Sequence, residues 1–393
     1  MRSSVKRAAW RAIFLAARCL LVRRYPVAWW RGIARSGEQA TLLVAGEAQM
    51  TNYLPERFFA GNPHRELIGH ASIWGLPGLL RRLRPSADLT IALVDRLSAH
   101  LFFGEDYLRV PDRIGSGRKL REDDFSYFRS RERPWGLKSD VRRALRYRWV
   151  VSHSEADLKF FYESMYVPYM RNRFGEGIEL LSQESLRCSF RQGGIIWIEH
   201  EKERIAGGLF RICSKTFVGV MWATANGNLQ ILNQGALAAV YLYMIDYAHE
   251  CGCSYIYYGW SSPSLHDGTL RYKRKWGITL KETGDNYFYL LVHWNSLDGV
   301  VADFLSHTSL IFRERGGLSA IHALGADQPA TEADVLMARR LLWIDGLQRL
   351  YLFSAAGWST VKTVPQDVVL TTGRLPLRPD MGRSPGTTSR LAF

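Results

Sequence analysis

The stretch 265–277, "LHDGTLRYKRKWG", concentrates side chains that can do chemistry directly after an aromatic, strand-like segment. It holds a carboxylate at Asp267, four cations between Arg271 and Lys275, and a closing Trp-Gly pair. An ammonium group at the end of a strand can bind an anionic ligand or a developing oxyanion, as acyl transfer requires. Asp267, or His266 beside it, can take a proton from an attacking amine or hydroxyl group.

One other interpretation of this stretch stays open, and so does its backbone conformation. A solvated basic loop with a turn at Asp267-Gly268 accounts for the same residues without any site. The local conformation also matters, because an extended segment places Arg271, Lys273 and Lys275 on one face, whereas a helix fans them out. Either geometry can direct one ammonium group at a ligand.

A second candidate lies where the loop 225–234, "ANGNLQILNQ", leads into a predicted helix from Gly235 to His249. A helix N-terminus offers unpaired N–H groups and a partial positive charge, so this loop can hold a phosphate or pyrophosphate. The chain has neither a GxxxxGK[ST] nor a GxGxxG motif, and a glycine before a helix is also an ordinary turn.

Several other chemistries are disfavoured. There is no GxSxG nucleophile elbow, and the ten His form no metal-ligand pair at helical spacing. The five cysteines have the spacing of neither a zinc site nor a disulfide framework; they are Cys19, Cys188, Cys213, Cys251 and Cys253. We therefore expect a reducing cytoplasm, no metal, and neither a hydrolase nor a metalloenzyme.

Charge is unevenly distributed along the 393 residues. The chain carries a net charge of +15, and Met1 to Val150 holds 28 Lys/Arg against 14 Asp/Glu, so the remainder is nearly neutral. The expected partner of such a region is an anionic membrane face or RNA. Alternatively, the region is a soluble surface that merely carries excess positive charge. At 47% apolar residues, the chain is long enough for two or three globular domains.

The segment 1–35 contains nine Lys/Arg and no acidic residue. Its apolar run is interrupted by Arg11 and Arg18 and is too short to span a bilayer, and no convincing signal-peptide cleavage site follows. This composition predicts an amphipathic helix lying on an anionic membrane surface. A basic helix packed on its own domain is the alternative.

The elements that must position these residues predict an α/β (α+β) fold. "ATLLVAG" and "DLTIALVD" are strand-like, and a helix capped by Ser139 or Asp140 follows in a basic connector. From Ser154 to "SYIYYGW" the predicted order is helix, helix, hairpin, strand, helix, strand. "NYFYLLVHW" is a further strand, and "EADVLMARRLLW" and "RLYLFS" form a helix and a strand.

Composition divides the chain into five predicted segments. They are a basic N-terminal segment (1–35), an α/β domain (36–135), an acyltransferase-like domain (136–297), a C-terminal α/β extension (298–372) and a disordered tail (373–393). The smaller 36–135 domain can be a degenerate copy of the larger one.

The segment 136–297 resembles the GNAT-type acyltransferase fold, a mixed sheet flanked by helices. The resemblance is carried by "LNQGALAAVYLYMIDYAHECGCSYIYYG" followed by "DGTLRYKRKWG". It is closest to the FemAB-like, CelD-type branch, whose members often read aromatic-Lys-x-x-aromatic-Gly at this point. Here that pattern runs from Tyr272 to Gly277.

The resemblance implies direct attack of an amine or hydroxyl group on an activated thioester or ester, here an acyl-CoA, without a covalent enzyme intermediate. By motif matching, Lys273 corresponds to the lysine that stabilises the carbonyl oxygen or binds donor phosphate. Asp267, which would take the proton or pair with Lys273, and Tyr272 complete the predicted catalytic set. The implied donor-binding residues are Asn233, Gln234, Gly235, Ala236, Arg274 and Lys275. The GNAT signature [QR]xxGx[GA] is degenerate at Gly235, which leaves room for a longer acyl-CoA or for aminoacyl-tRNA.

The leading hypothesis is a cytoplasmic acyltransferase, peripheral to the inner face of the membrane, that acts on a cell-envelope or exopolysaccharide precursor. Its acceptor would be a glycan or an amine. A FemAB-type aminoacyl-tRNA-dependent transferase is the first alternative, with the basic segment 113–148 binding tRNA. The second is a catalytically idle membrane-peripheral scaffold.

Overall fold

The computed structural model describes residues 23–46, 53–129, 135–175, 180–282, 287–297, 299–325, 329–359 and 361–371. Its strands are β1 (Arg24–Ile33), β2 (Gln39–Ala45), β3 (His64–Ser72), β4 (Leu89–Asp95), β5 (Leu108–Pro111), β6 (Ile114–Lys119), β7 (Arg148–Ser152), β8 (Gly193–His200), β9 (Glu203–Cys213), β10 (Thr216–Thr224), β11 (Tyr255–Ser261), β12 (Thr279–Lys281), β13 (Phe288–Trp294), β14 (Ile311–Glu314), β15 (Gly317–Leu324), β16 (Leu347–Ser354) and β17 (Val368–Thr371). Its α-helices are α1 (Tyr53–Phe58), α2 (Leu76–Leu83), α3 (Arg96–Phe102), α4 (Asp124–Arg129), α5 (Trp135–Ala144), α6 (Glu155–Phe160), α7 (Val167–Phe174), α8 (Gln183–Phe190), α9 (Gln230–Asn233), α10 (Ala236–Glu250), α11 (Gly268–Arg274), α12 (Gly299–Thr308) and α13 (Glu332–Leu342). These mixed sheets flanked by helices confirm the predicted α/β class.

The chain forms two compact units that do not follow the predicted segments. The first unit contains the described residues of Met1–Ile114, Ser262–Asp267 and Glu282–Phe393, and the second contains Gly115–Ser261 and Gly268–Lys281. The predicted strand "NYFYLLVHW" therefore belongs to the first unit as β13, although sequence analysis grouped it with the acyltransferase-like segment. The N-terminal segment 1–35 lies largely outside the described residues, and the tail 373–393 lies wholly outside them.

A six-stranded sheet in the order β3-β1-β2-β4-β13-β5 is the centre of the first unit. β4 is buried along its whole length, which explains its central place and its unbroken apolar run. Alternate residues of β2 and β4 face two separate cores. Helices α2 and α3 cover one face of this sheet, and α1 and α12 pack against the other.

The C-terminal part of the first unit adds a four-stranded sheet in the order β14-β15-β16-β17. Residues from this sheet, including Ile321 and Phe353, share a core with Leu42 and Ile91 of the six-stranded sheet. The predicted C-terminal extension therefore has no separate core within the described residues. Its helix α13 begins with a reciprocal capping box between Thr331 and Asp334.

The second unit is a seven-stranded sheet in the order β12-β6-β11-β10-β9-β8-β7. Strands β7 to β10 are antiparallel, and α10 is the crossover that leads from β10 to the parallel strand β11. The predicted element order of this region is therefore confirmed. Within the described part of the chain, no helix is both long and apolar enough to cross a bilayer.

Three local predictions were wrong. Ser139 and Asp140 lie inside α5, which starts at Trp135, so neither caps it. The predicted loop 225–234 contains the short helix α9, preceded by a single 3-10 turn at Ala225–Gly227. The amphipathic helix predicted over 1–35 is also wrong for Arg24–Ile33, which form β1. For the stretch 265–277, both an extended and a helical conformation were left open, and Gly268–Arg274 forms the helix α11.

Candidate functional site

Lys273 is a buried cation in the second unit. Its residue surface is 1% exposed, and its ammonium group donates to the carbonyl oxygen of Trp260 at 2.8 Å and to Ser261 Oγ at 3.1 Å. A buried charge is tolerated where such polar partners replace water. Helix α11 thus brings the predicted catalytic lysine onto the last two residues of β11.

The helical conformation separates the four cations of this stretch. Lys273 points inward, whereas Arg271 and Lys275 are exposed and Arg274 is half-buried. Lys275 Nζ lies 3.2 Å from Asp140 Oδ2, which joins α11 to α5. Burial lowers the pKa of Arg274, and the neighbouring Arg271 lowers it further.

Tyr272 belongs to an aromatic cluster around Tyr241 of α10. The Tyr241 ring lies 5.4 Å from the Tyr272 ring and stacks on Trp276, also at 5.4 Å, and on Tyr258 at 5.0 Å. Burial raises the pKa of Tyr272 well above its ordinary value, and the nearby carboxylate of Asp140 raises it further. Its hydroxyl group therefore keeps its proton and can donate a hydrogen bond.

The predicted donor-binding residues surround the N-terminus of α10. Gly235 is its N-cap and has φ of 101°, and no side chain caps the helix. Gly235 and Ala236 are buried, whereas Asn233 and Gln234 are exposed. Tyr241 is five residues beyond Ala236, so the contact with α11 lies about 8 Å along the axis from this helix end.

Arg143 of α5 lies against that helix end. A Cβ atom at Gly235 would stand 2.5 Å from Arg143 Cβ, so the glycine is needed for this approach. The guanidinium group of Arg143 donates to Asp140 Oδ1 at 2.7 Å. Arg143 thus packs its Cβ atom against the N-terminus of α10, while its guanidinium group is paired with Asp140.

Strands β10 and β11 diverge beyond a short stretch of pairing. Their parallel register pairs run from Thr216 with Tyr255 to Val218 with Tyr257, although β10 continues to Thr224 and β11 to Ser261. A bulge between Gly219 and Met221 bends β10 relative to β9. Trp260 and Ser261, which hold Lys273, lie at the diverging end of β11.

A narrow apolar crevice lies at the diverging end of β10. It is lined by Tyr169, Ala206, Trp222, Ala223, Thr224, Leu232, Leu237 and Val240. Leu237 is in the first turn of α10, so the crevice opens beside the same helix end as Gly235. Backbone edges freed by diverging strands can pair with an extended amide chain.

Asp267 ends the loop Ser262–Asp267, which belongs to the first unit. Its Oδ2 atom lies 3.8 Å from Arg57 Nη2, and Arg57 Nη1 donates to Ser264 Oγ at 2.8 Å. The arginine of α1 therefore orders the loop that carries the predicted proton acceptor. Lys273 lies in the second unit, and the predicted pairing of Asp267 with Lys273 stays a prediction.

Sequence analysis missed the residues that hold this site in place. Asp140 was interpreted as a helix cap, and Arg57 had no pattern around it that indicated a role. Ser261 gave no signal either, since its contact with Lys273 arises because α11 turns back onto β11. Charge complementarity between the basic stretch and the acidic residue Asp140 was the one available clue.

No family model and no curated protein matches the chain. Among solved structures, the chain is similar to L-PGS from Bacillus licheniformis, with 12% identity over 68% of this chain and 84% of that one, at a TM-score of 0.35. FemX shows 14% identity over 67% and 88% of the two chains at a TM-score of 0.36. A GCN5-related N-acetyltransferase from Sphaerobacter thermophilus shows 11% identity over 68% of this chain and 76% of that one, at a TM-score of 0.31. Similarity at this level does not determine an activity.

Proposed function

We propose that the chain is a GNAT-like N- or O-acyltransferase that moves an acyl group from acyl-CoA to an amine or hydroxyl group. Its acceptor would be a glycan or amine precursor in cell-envelope or exopolysaccharide biosynthesis, at the inner face of the membrane. The observation that carries this proposal is the buried Lys273 ammonium group, held by Trp260 and Ser261 at the diverging end of β11.

The chemistry needs no covalent enzyme intermediate. The acceptor nitrogen or oxygen attacks the thioester carbonyl carbon, the C–S bond breaks, and CoA leaves as a thiol once a proton reaches its sulfur. Lys273 would stabilise the negative charge that develops on the carbonyl oxygen, because a fixed cation in a buried site acts strongly on that charge. Asp267, close to Lys273 in sequence, would accept the acceptor's proton.

The donor would lie between the diverging strands. Its pantetheine amides would pair with the free edges of β10 and β11, and its pyrophosphate would meet the N-terminus of α10 at Gly235. Arg143 joins Asn233, Gln234 and Ala236 in this proposed donor site because of its position beside Gly235. Arg274 and Lys275 would add positive charge from α11.

Thermal melting with a panel of CoA, acetyl-CoA and longer acyl-CoAs tests the proposal. A donor that binds the folded chain raises the melting temperature with the logarithm of its concentration, since it stabilises the folded state by mass action. Stabilisation by at least one acyl-CoA, and none by adenosine, is expected. Absence of any shift, combined with tRNA retention at low salt, would favour aminoacyl-tRNA as donor, and absence of both would favour an idle scaffold.

A further inference from the structure

Helices α2 and α3 carry an exposed apolar patch on the first unit, formed by Trp74, Leu97, Leu101 and Phe102. Trp74 is 65% exposed, Leu101 61% and Leu97 42%. The rings of Trp74 and Phe102 meet edge to face at 4.9 Å, which joins the start of α2 to the end of α3. Large apolar side chains clustered at a surface mark an interaction site more often than scattered ones do.

The patch lies on the outer side of a packed layer. Leu76 and Leu80 of α2 and Ala99 of α3 are fully buried in the core beneath them. Leu97 and Leu101 stand one turn apart on α3, away from Ala99, so they form the outer face of that helix. The core does not need these exposed side chains.

Basic residues lie on the same two helices as the patch. Arg81 and Arg82 are exposed on α2, and Arg96 begins α3. The stretches 73–87 and 96–104 contain no acidic residue. An apolar patch flanked by arginines complements the surface of an anionic bilayer, where Trp and Leu insert at the level of the lipid headgroups and Arg binds phosphate.

The start of the described chain adds to this complementarity. Arg24, at the beginning of β1, pairs with Ser72 of β3, two residues before Trp74. Residues 1–22 precede that point and contain five Lys/Arg and no acidic residue. A basic segment of the sequence therefore precedes β1, whose first residue pairs with β3 close to Trp74.

We propose that the apolar patch of α2 and α3 docks the protein on an anionic lipid bilayer, with Trp74, Leu97 and Leu101 entering the interface. This goes beyond the proposed transfer reaction and does not depend on it. The patch supplies a membrane contact of its own, separate from residues 1–22. Anchoring by an apolar contact combined with basic residues is reversible and weakens as salt screens the charges.

Vesicle co-sedimentation of the full chain tests the proposal. Vesicles of phosphatidylcholine alone are compared with equimolar phosphatidylcholine and phosphatidylglycerol, at low and at high salt. The full chain is expected to bind the anionic vesicles and to leave the neutral ones largely unbound. The double variant Trp74→Ser, Leu101→Ser should bind the anionic vesicles at least about tenfold more weakly, because it removes the apolar area that enters the membrane.

A matched control lies on α13 in the same unit. Leu336 and Leu341 are 50% and 60% exposed, but α13 balances Arg339 and Arg340 in its last turn with the acidic residues Glu332 and Asp334 in its first. The control variant Leu336→Ser, Leu341→Ser should bind vesicles as the wild type does. Equal loss of binding in both double variants would overturn the proposal, as would unchanged binding in the Trp74 and Leu101 variant.

Two further outcomes would also overturn it. Equally tight binding to neutral vesicles would remove the role of the anionic headgroups. A wild-type dimer in light scattering that the Trp74 and Leu101 substitutions convert to a monomer would show that a second copy covers the patch. Hydrogen exchange completes the test, since vesicles should protect amides of α2 and α3, and protection already complete without vesicles would point to the chain's own N-terminal segment.

Discussion

The ammonium group of Lys273 lies 2.8 Å from the carbonyl oxygen of Trp260, so a buried cation holds the C-terminal end of β11. That end is where β11 has diverged from β10. One side chain thus links the conformation of the divergent strand to the position of the proposed oxyanion site. Substitutions of Lys273 should consequently separate its effect on chemistry from its effect on the fold.

Replacing Lys273 by Met is expected to lower kcat/KM for acyl transfer by at least about 100-fold, because the charge opposite the oxyanion is removed. Met retains most of the buried volume, and circular dichroism and thermal melting check that the fold persists. Lys215→Ala, which removes an exposed lysine of the same unit, is the matched control and should retain wild-type turnover. A folded Lys273→Met protein with wild-type turnover would refute the proposed role.

Replacing Gly235 by Ala should lower the free energy of unfolding by about 2–4 kcal/mol, since it combines left-handed backbone strain with overpacking. The new Cβ atom would stand 2.5 Å from Arg143 Cβ. Gly252→Ala, just beyond the other end of α10, is the control because its φ is 66° and no atom lies within 4 Å of a Cβ there. Urea denaturation should show a clearly smaller loss for Gly252→Ala, and equal losses would contradict the close approach of Arg143.

Tyr272→Phe should leave the shape of the pH profile of kcat/KM unchanged between pH 6 and about pH 9. Burial keeps the hydroxyl group of Tyr272 protonated well above neutral pH, so its ionisation cannot produce a limb in that range. A loss of rate at constant profile would indicate hydrogen-bond donation by the hydroxyl group. A basic or acidic limb that disappears in the variant would identify Tyr272 as an acid–base catalyst and contradict this interpretation.

His322 in the first unit should make the protein less stable in weak acid. Burial lowers its pKa to about 4, and the neighbouring His266 and His307 lower it further. Between an unfolded pKa of about 6.5 and this value, the unfolded chain binds a proton that the folded chain does not. The free energy of unfolding should therefore fall by about 3 kcal/mol as the pH decreases from 6.5 to 4.

Urea denaturation at steps from pH 7 to pH 4 measures this loss in the wild type and in His322→Gln. Carboxylates also titrate in this range, so the difference between the two proteins is the informative quantity. The Gln variant should lose less stability on acidification, although it disturbs the 2.8 Å hydrogen bond between Ser309 Oγ and His322 Nδ1. Parallel pH curves for the two proteins would show that His322 does not titrate as expected.

Local patterns in the sequence predicted much of the second unit. The helix Gln183–Phe190, the hairpin of β8 and β9, and the helix and strand that follow β10 were all expected from apolar periodicity and turn residues. The apolar pattern of each of these elements agrees with its observed conformation, so tertiary contacts did not override a different local preference. Gly235, in the proposed donor site, also stood out, because a glycine is conspicuous at a helix start.

What the sequence did not reveal depends on contacts between distant residues. Asp140 meets Lys275, and Arg57 meets Asp267, across long separations in sequence that no local pattern reports. The edge strand β3 was missed because none of its residues is buried, which removes the alternation that identifies a strand. The sheet that receives β13 was also not predictable, since apolar strands pair with equal ease in several places.

The place of β13 between β4 and β5 has a consequence for how the chain is made. On the ribosome, β4 and β5 emerge early, but their shared neighbour is synthesised only after the whole second unit. The second unit can fold first, whereas the sheet of the first unit stays incomplete until β13 is synthesised. Its exposed strand edges favour aggregation during that time. A fragment ending at residue 135 would leave this sheet without β13. A cut at 297/298 would remove α12 and the four-stranded sheet, which contribute to the same core.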